Sequence, residues 1–238
     1  TLRAYDPAFA YELAIVIREG MRIMYKEQQD LQFYLTIGNE NYVQPAAPEH
    51  LSREELVEGV MKGMYLYRKS GRRYRAKAQL FGSGSIMNEV LKAQEILADY
   101  RVAADVWSVT SYKELHRDAL QVERWNRYNP GEEPRTAYVT EKLADAPGVF
   151  VAASDYLRIL PDSLSGHLPK KMHALGTDGF GRSEAREELR DFFEVDARHI
   201  AYATLEALMR EGEIDGETLE RAARDLEIDA DKPNPFVA

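Results

Sequence analysis

The amino-acid sequence predicts an α/β fold, namely a doubly wound, mostly parallel sheet with one antiparallel edge strand. Two observations lead to this class. Strand-sized apolar runs at 103–110, 148–153 and 172–175 are separated by amphipathic segments with helix caps, and such alternation is typical of parallel sheets covered on both faces. Two β-rich runs at 63–69 and 75–81, with a Ser-Gly turn between them, predict a hairpin that would supply the antiparallel strand.

The composition is that of a globular protein with a sizeable core. The 238 residues are 45% hydrophobic and 30% charged, and no apolar run approaches the roughly 18 residues needed to span a bilayer. A net charge of −9 disfavours nucleic-acid binding, because phosphate backbones need a basic surface. The absence of cysteine excludes disulfides, thiolate catalysis and cysteine-based zinc sites. No signal peptide opens the sequence, so we expect a cytoplasmic protein with no membrane partner.

The first 45 residues predict one helix and one strand. Asp6-Pro7 has the pattern of an N-cap followed by proline at the first helical position, and apolar residues then recur at helical spacing to about Gln28. A strand is predicted over 31–37. Because a helix start follows so soon after Thr1, we expect the sequence to be a piece of a longer polypeptide.

A linker separates this segment from the rest. Residues 38–50 contain Pro45, Pro48 and a polar run, and we place a domain boundary near residue 46. One helix and one strand are too few to fold alone, so 1–45 would be the tail of an upstream domain and 46–238 a second domain.

The second part alternates helices and strands. Ser52 with Glu55, and Ser111 with Glu114, have the spacing of capping boxes. The predicted elements are, in order, a short helix from Ser52, the hairpin at 63–81, a helix after Gly82–Ser85, a strand at 103–110, a helix from Ser111 towards Arg127, a strand at 148–153, a helix from about Ser154, a strand at 172–175, helices capped by Ser183 and Asp196, and a last helix at about 216–226.

Two glycine-rich loops are candidates for ligand binding. Gly82-Ser83-Gly84 lies between a predicted strand and helix, where exposed amides can bind phosphate, but Met87 stands where the dinucleotide fingerprint needs glycine or alanine. A tight turn is therefore the favoured interpretation. The loop 176–183 contains three glycines with Asp178 and Arg182. We favour a contact between domains or subunits there over a small-molecule site.

A basic cluster surrounds the predicted hairpin turn. It consists of Arg68, Lys69, Arg72, Arg73, Arg75 and Lys77. A solvated turn that protects an edge strand from further pairing explains the cluster better than docking of an acidic partner. The five histidines form no metal-type pair, and the sequence has no P-loop lysine or nucleophile-elbow serine.

Several segments, in their order along the chain, resemble one family. They are Asn39-Glu40-Asn41-Tyr42, Gly82-Ser83-Gly84-Ser85-Ile86, the run 104–111, Val122-Glu123-Arg124-Trp125-Asn126, the loop 176–183, and Ile228-Asp229-Ala230-Asp231-Lys232 with Asn234-Pro235. Together they resemble the carboxy-terminal part of the homodimeric, bacterial-type pyruvate dehydrogenase decarboxylase subunits. These are thiamine diphosphate-dependent members of the transketolase superfamily, and the resemblance covers nearly the whole chain.

The resemblance implies an architecture and an activity. Residues 1–45 would end a middle, pyrimidine-binding domain, and 46–238 would form a transketolase-like carboxy-terminal domain. The parent subunit would oxidatively decarboxylate pyruvate and reductively acetylate the lipoyl group of a dihydrolipoyl acetyltransferase core. The implied partners are the rest of its own subunit, a homodimer partner and that core.

The resemblance places the chemistry upstream. The magnesium motif, the glutamate that activates the cofactor ring and the active-centre histidines of the family have no matching positions here. We therefore expect thiamine diphosphate and magnesium on upstream domains, no catalytic, cofactor-binding or metal residue in this portion, and no activity from it alone. It would serve structure, dimerisation and framing of the site. Candidate interdomain or entrance-loop residues are Asn39, Glu40, Tyr42, Asp178, Phe180 and Arg182. The alternative is a free-standing Rossmann-type nucleotide-binding protein.

Overall fold

The structure is a computed structural model that describes residues 1–237. Its strands are β1 (Leu2–Tyr5), β2 (Gln32–Leu35), β3 (Met64–Arg68), β4 (Ala76–Gly82), β5 (Val102–Val109), β6 (Val149–Ala153) and β7 (Met172–Leu175). Its α-helices are α1 (Ala10–Met21), α2 (Arg53–Lys62), α3 (Met87–Asp99), α4 (Tyr112–Tyr128), α5 (Tyr138–Leu143), α6 (Ile159–Asp162), α7 (Arg186–Phe192), α8 (Ala197–Arg210) and α9 (Gly216–Asp225). Short turns of other helix types lie at Arg22–Lys26, Gly84–Ile86 and Ser165–His167.

Strands β3 to β7 form one sheet in the order β3-β5-β4-β6-β7. The edge strand β3 is antiparallel to β5, whereas the pairs β5–β4, β4–β6 and β6–β7 are parallel. The predicted fold class, a mostly parallel sheet with an antiparallel edge strand, is confirmed.

Apolar side chains cover both faces of this sheet. Leu80 and Val106 pack with residues of α3 and α8 on one face, whereas their neighbours Phe81 and Trp107 pack with residues of α4 and α5 on the other. Burial on alternate faces of the same strands is what a doubly wound sheet requires. Within the described residues, none of the helices has the length and apolar character needed to cross a membrane.

The predicted hairpin is wrong, although both of its strands exist. β5 lies between β3 and β4, with Ser108 opposite Tyr65 of β3 and Val106 opposite Leu80 of β4. The connection 69–75 therefore passes across the end of β5 instead of closing a tight turn. The strand β5 is buried and apolar along almost its whole length, so it has two partners, and this tertiary preference overrides the local turn pattern.

The first helix begins at Ala10, not at Pro7, and the strand β1 before it was not predicted. Glu12 accepts the two backbone amides that precede the helix, which is the role expected of a cap. Asp6 instead accepts hydrogen bonds from the hydroxyls of Thr36 and Tyr156. The strand predicted over 31–37 is confirmed as β2.

Other helix starts also differ from the prediction. α7 begins at Arg186 after Ala185, so Ser183 does not cap it. After β6 the chain is irregular until α6 begins at Ile159, because the Ser154 hydroxyl accepts the amide of Tyr156 in a tight turn rather than capping a helix. The helix α5 was not predicted from the sequence.

The two capping boxes have different outcomes. Ser52 and Glu55 exchange both hydrogen bonds, at 2.8 and 3.2 Å, as predicted. Ser111 accepts the amide of Glu114 at 3.0 Å, but its own amide donates to the carbonyl of Gly63. The second box is therefore only half formed.

The N-terminal unit, residues 1–37, shares its core with the rest of the chain. β1 and β2 pair in parallel beside α1. Tyr5 and Val16 of this unit pack with Leu56 and Val60 of α2 and with Tyr65 of β3. Because α2 and β3 complete its apolar side, the unit is held against the larger sheet.

Candidate functional site at the carboxyl edge of the sheet

Three loops leave the same edge of the larger sheet. Strands β4, β6 and β7 are parallel, so the loops that follow them, at 83–86, 154–158 and 176–185, lie together at the carboxyl ends. A hydrogen bond joins two of these loops directly: the amide of Thr177 donates to the carbonyl of Tyr156 at 3.0 Å. Open parallel sheets generally bind their ligands at this edge.

The N-terminal unit docks on the same edge. The amide of Asp6 donates to the carbonyl of Thr110 at 2.7 Å, and the carbonyl of Asp6 accepts the amide of Gly84 at 3.1 Å. The hydroxyl of Ser85 donates to the carboxylate of Asp155 at 2.9 Å. Two donors that a bound phosphate could use at the Gly82–Ser85 turn are thus used by protein groups, which supports the structural interpretation of that turn.

Glu12 makes the deepest polar contact between the N-terminal unit and the sheet. Its side chain is buried, and Oε1 accepts the hydroxyls of Tyr65 at 2.5 Å and Ser108 at 2.6 Å, which belong to β3 and β5. Oε2 accepts the amides of Ala8 and Phe9 at 2.6 and 3.0 Å. Burial raises the pKa of Glu12 against the opposing effect of these donors. The sequence analysis missed this residue, although a carboxylate on the apolar stripe of a helix is a usable signal.

Arg190 on α7 connects the linker to this edge. Its guanidinium is bidentate to Glu40, with Nη1 at 3.1 Å from Oε1, and it lies 3.5 Å from Glu89 of α3. Its Nη2 is 3.3 Å from the Ser85 hydroxyl. The neighbouring Arg186 donates to the side-chain oxygen of Asn39 at 2.5 Å. Bidentate guanidinium–carboxylate pairs are among the strongest ion pairs in proteins, so the linker is firmly attached to α7.

Replacing Arg190 by glutamine is expected to lower the unfolding free energy of this chain by about 2 kcal/mol. The change leaves Glu40 and Glu89 without their shared cation, and the Arg190 side chain is only 11% exposed. Urea denaturation measures the loss. Arg186→Gln is the matched control, since that side chain is 51% exposed and its pair should contribute less than about 1 kcal/mol. Equal losses in the two variants would contradict this account.

The three candidate residues of the linker are bound within the chain. Asn39 and Glu40 contact α7, and the hydroxyl of Tyr42 donates to the carbonyl of Ala8. Burial raises the pKa of the Tyr42 phenol. These contacts hold the linker against the edge of the sheet.

The glycine loop 176–182 is held against the loop after β6. A Cβ added at Gly176 would lie 2.4 Å from the carbonyl oxygen of Tyr156, so only glycine permits this approach. Asp178 accepts the amide of Arg158 at 3.2 Å and also pairs with its guanidinium. The sequence correctly identified this loop as precisely shaped by its glycines, but not its partners.

The remaining loop residues differ in exposure. The guanidinium of Arg182 lies 4.1 Å from the centre of the Phe192 ring, a cation–π contact with α7. Phe180 is 84% exposed. Among the hydrogen bonds and ion pairs of residues 1–237, none directly links 39–42 with 176–182. The structure therefore brings the two predicted segments to one edge, where they meet through α7 and not in a common pocket.

One group of potential metal ligands lies beside α8 in the described part of the chain. It consists of Asp191, Asp196 and His199, whose ligand atoms lie within 4.8 Å of one another. Arg198 already donates to Asp191 at 2.6 Å and to Asp196 at 3.0 Å. The other oxygen of Asp196 caps α8 by accepting the amide of His199 at 2.9 Å, which confirms the predicted cap. Because the guanidinium of Arg198 already bonds both carboxylates, a magnesium ion would have to displace this cation, so the cluster does not fit magnesium.

Asp196 gives this cap a pH dependence. Burial alone would raise the pKa of Asp196, but hydrogen bonds from His199 and the charge of Arg198 outweigh it and lower the pKa from 3.8 to about 2. The stabilisation by the ionised group is therefore present above about pH 4 and is lost as the pH falls towards 2.

The stability advantage of the wild type over Asp196→Asn is accordingly expected to shrink by about 1 kcal/mol between pH 5 and pH 3. Asparagine keeps the helix cap, so the difference isolates the charge. Urea unfolding of both proteins across this range provides the test. A pH-independent difference would contradict the lowered pKa.

Comparisons with known proteins match both parts of the chain. Residues 63–196 match the family model of the transketolase-like TK C-terminal domain, and residues 1–45 match that of the pyruvate dehydrogenase E1 component middle domain. The pyruvate dehydrogenase E1 component of Pseudomonas aeruginosa is 46% identical over 236 residues, covering 98% of this chain and 26% of the relative. That of Escherichia coli (strain K12) is 44% identical over 238 residues, covering 99% and 26%. The chain thus spans about a quarter of the length of the curated relatives it matches.

Solved structures show the same fold. A mutant transketolase from Pichia stipitis superposes with a TM-score of 0.60 at 15% identity, over 90% of this chain and 26% of the other. The transketolase from Leishmania mexicana gives a TM-score of 0.58 at 15% identity, over 88% and 25%. The match to the first family model extends over more than half of the sequence, across all five strands of the larger sheet. The chain belongs to the family of transketolase-like C-terminal domains.

Proposed function

We propose that this chain is the carboxy-terminal portion of a homodimeric, bacterial-type pyruvate dehydrogenase decarboxylase component. The observation that carries the proposal is the 46% identity with the Pseudomonas aeruginosa pyruvate dehydrogenase E1 component over 98% of this chain. The parent enzyme would oxidatively decarboxylate pyruvate and reductively acetylate the lipoyl group of a dihydrolipoyl acetyltransferase. This chain would contribute a quarter of that subunit.

In this proposal residues 1–45 end the middle domain and 46–238 form the carboxy-terminal domain. The contacts of Glu12 with β3 and β5, and of Glu40 with Arg190, support a fixed joint between the two parts. The carboxy-terminal domain would hold the middle domain at the carboxyl edge of its sheet. The segments 39–42 and 176–182 would frame the entrance to the active site.

Thiamine diphosphate and magnesium would be bound by the upstream domains. The pairing of Asp191 and Asp196 with Arg198 supports this placement, because a magnesium ion at that cluster would have to displace the guanidinium. When bound, thiamine diphosphate supplies the electron sink for decarboxylation. The role of this chain would be to position the carboxyl edge of its sheet, which would face the other domains.

The proposed partners are the rest of the subunit, a second subunit and the acetyltransferase core, in the cytoplasm. Several large apolar residues of the N-terminal unit are exposed, and such patches mark interfaces. They are Ile17 and Met21 on α1, Tyr34 on β2 and Ile37 after it. We assign these residues to contact with the remainder of the middle domain.

The test compares the full-length subunit with this chain. Each is assayed for pyruvate-dependent acetylation of a lipoyl domain in the presence of thiamine diphosphate and magnesium. We expect turnover from the full-length subunit and none from this chain. Turnover by this chain alone would overturn the placement of the chemistry upstream, and a full-length subunit that prefers another 2-oxo acid would overturn the proposed substrate.

The Rossmann-type alternative is not favoured. The amide of Gly84 and the hydroxyl of Ser85 already donate to Asp6 and Asp155. Calorimetric titration of this chain with NAD or ATP is expected to show no micromolar binding. Micromolar affinity for either nucleotide would restore this alternative.

A further inference from the structure

The segment 228–236 crosses over the glycine loop. Gly179 has a φ of +93°, and a Cβ added there would lie 2.1 Å from the carbonyl oxygen of Pro235 and 3.3 Å from the Cα of Phe236. No side chain fits in this space, so glycine is what allows the two backbones to meet. The first residues of the loop, 176–179, thus contact the loop after β6 on one side and the segment 228–236 on the other.

Lys232 anchors this segment. Its side chain is only 12% exposed, and its ammonium donates to the backbone carbonyl of Asp191 at the end of α7. The ammonium also lies 3.8 Å from the Asp191 carboxylate, 4.0 Å from Glu194 and 3.3 Å from Nε2 of His199. A lysine this buried is held by specific partners, unlike a lysine in an exposed surface pair.

The segment is attached at a few points and not along its whole length. Ile228 packs against the main core, Lys232 binds between α7 and α8, and Pro235 rests on Gly179. Beneath the segment a cavity of about 470 Å³ extends to Tyr202 of α8. Because these three attachments hold the segment among the described residues, loss of one should release the contact with the loop.

We propose that the segment 228–236 is a strap that positions the glycine loop 176–182, with Lys232 as its positioning residue. Release of Lys232 removes one of the two contacts that hold residues 176–179 in place. The hydrogen bond from the amide of Thr177 to the carbonyl of Tyr156 then opens more often, which exposes this amide to solvent. The catalytic consequence rests on the proposed function, in which this loop frames the entrance. A loop that must be reordered when pyruvate binds raises KM more than it lowers kcat.

Hydrogen exchange of residues 176–182 in the full-length subunit tests the strap. Lys232→Met removes the anchor, and Gly179→Ala places a methyl group where the strap must rest. Each is expected to accelerate exchange in the loop about tenfold or more. The matched controls are Lys113→Met, an exposed lysine on α4, and Gly181→Ala, where an added Cβ meets nothing within 4 Å. Both controls are expected to exchange as the wild type does.

The double variant Lys232→Met with Gly179→Ala shows whether the two substitutions act through the same strap contact or through two unrelated defects. If both changes release the same contact, the second change adds little to the first. The exchange rate of the loop in the double variant should then be at most about twice the rate in the faster of the two single variants. Multiplicative acceleration would overturn the proposal, as would wild-type exchange in Lys232→Met.

Steady-state kinetics of the same full-length variants test the link to the active site. Lys232→Met is expected to raise KM for pyruvate by a larger factor than it lowers kcat. Faster loop exchange with unchanged kinetics would overturn the catalytic role. Exchange does not depend on the substrate, so it tests the strap even if the subunit acts on a compound other than pyruvate.

Discussion

Replacing Glu12 by alanine is expected to lower the unfolding free energy of this chain by about 4 kcal/mol. Four donors lose their acceptor: the amides of Ala8 and Phe9 and the hydroxyls of Tyr65 and Ser108. Each buried donor left unpaired costs about 1–3 kcal/mol, and the truncation also leaves a cavity. Equilibrium urea unfolding measures the effect.

Two further substitutions calibrate this result. Glu12→Gln keeps the side-chain volume and one oxygen, and the hydroxyls of Tyr65 and Ser108 can rotate to accept hydrogen bonds from the new amide group. The free energy of unfolding is therefore expected to fall by only about 1–2 kcal/mol. Glu123→Ala removes an exposed pair with Arg127 and should change stability by less than about 0.5 kcal/mol. If Glu12→Ala were as mild as Glu123→Ala, the buried carboxylate would not be what holds the N-terminal unit to the sheet.

Replacing Gly148 by alanine is expected to cost about 3 kcal/mol or more. This glycine precedes β6 with a φ of +78°, and an added Cβ would lie 1.8 Å from the carbonyl oxygen of Lys77 and 2.2 Å from its carbonyl carbon. Both atoms belong to the backbone of the central strand β4, so rotation of a side chain cannot relieve the clash. The start of β6 would have to move away from β4. Urea or thermal unfolding gives the loss.

Gly131→Ala is the matched control for this substitution. Gly131 lies in an exposed turn, and an added Cβ there meets nothing within 4 Å. We expect its stability to stay within about 0.5 kcal/mol of the wild type. A Gly148 variant of equal stability would show that β6 can shift along β4 at little cost, contrary to the tight packing described here.

Local signals predicted much of the fold. The reciprocal box of Ser52 and Glu55 and the cap at Asp196 were predicted correctly because each depends on residues three positions apart. The strands at 103–110 and 148–153 were predicted because buried parallel strands are largely apolar runs. The start of α1 was not, because Glu12 inside the helix performs the capping that Asp6 was expected to perform.

Partners distant in the sequence could not be predicted from it. The sequence analysis identified 39–42 as a candidate segment, but Glu40 pairs with Arg190, 150 residues further along the chain. Glu12 similarly reaches Ser108, 96 residues away. An ion pair or a buried hydrogen bond between such positions leaves no periodic pattern, so only the folded chain reveals which charges meet.

The position of β5 between β3 and β4 has a consequence for the rate of folding. The strands β3 and β4 are joined by the short connection 69–75, and a hairpin between them would form within microseconds, before more distant contacts. β5 must then insert between them, so any such early pairing has to open before the sheet is complete. The basic residues of the connection repel one another in a closed turn and so disfavour that pairing. They are Lys69, Arg72, Arg73 and Arg75, with Arg68 and Lys77 on the flanking strands. The charge repulsion is therefore expected to shorten the lifetime of any such early hairpin, an effect that the native contacts alone do not reveal.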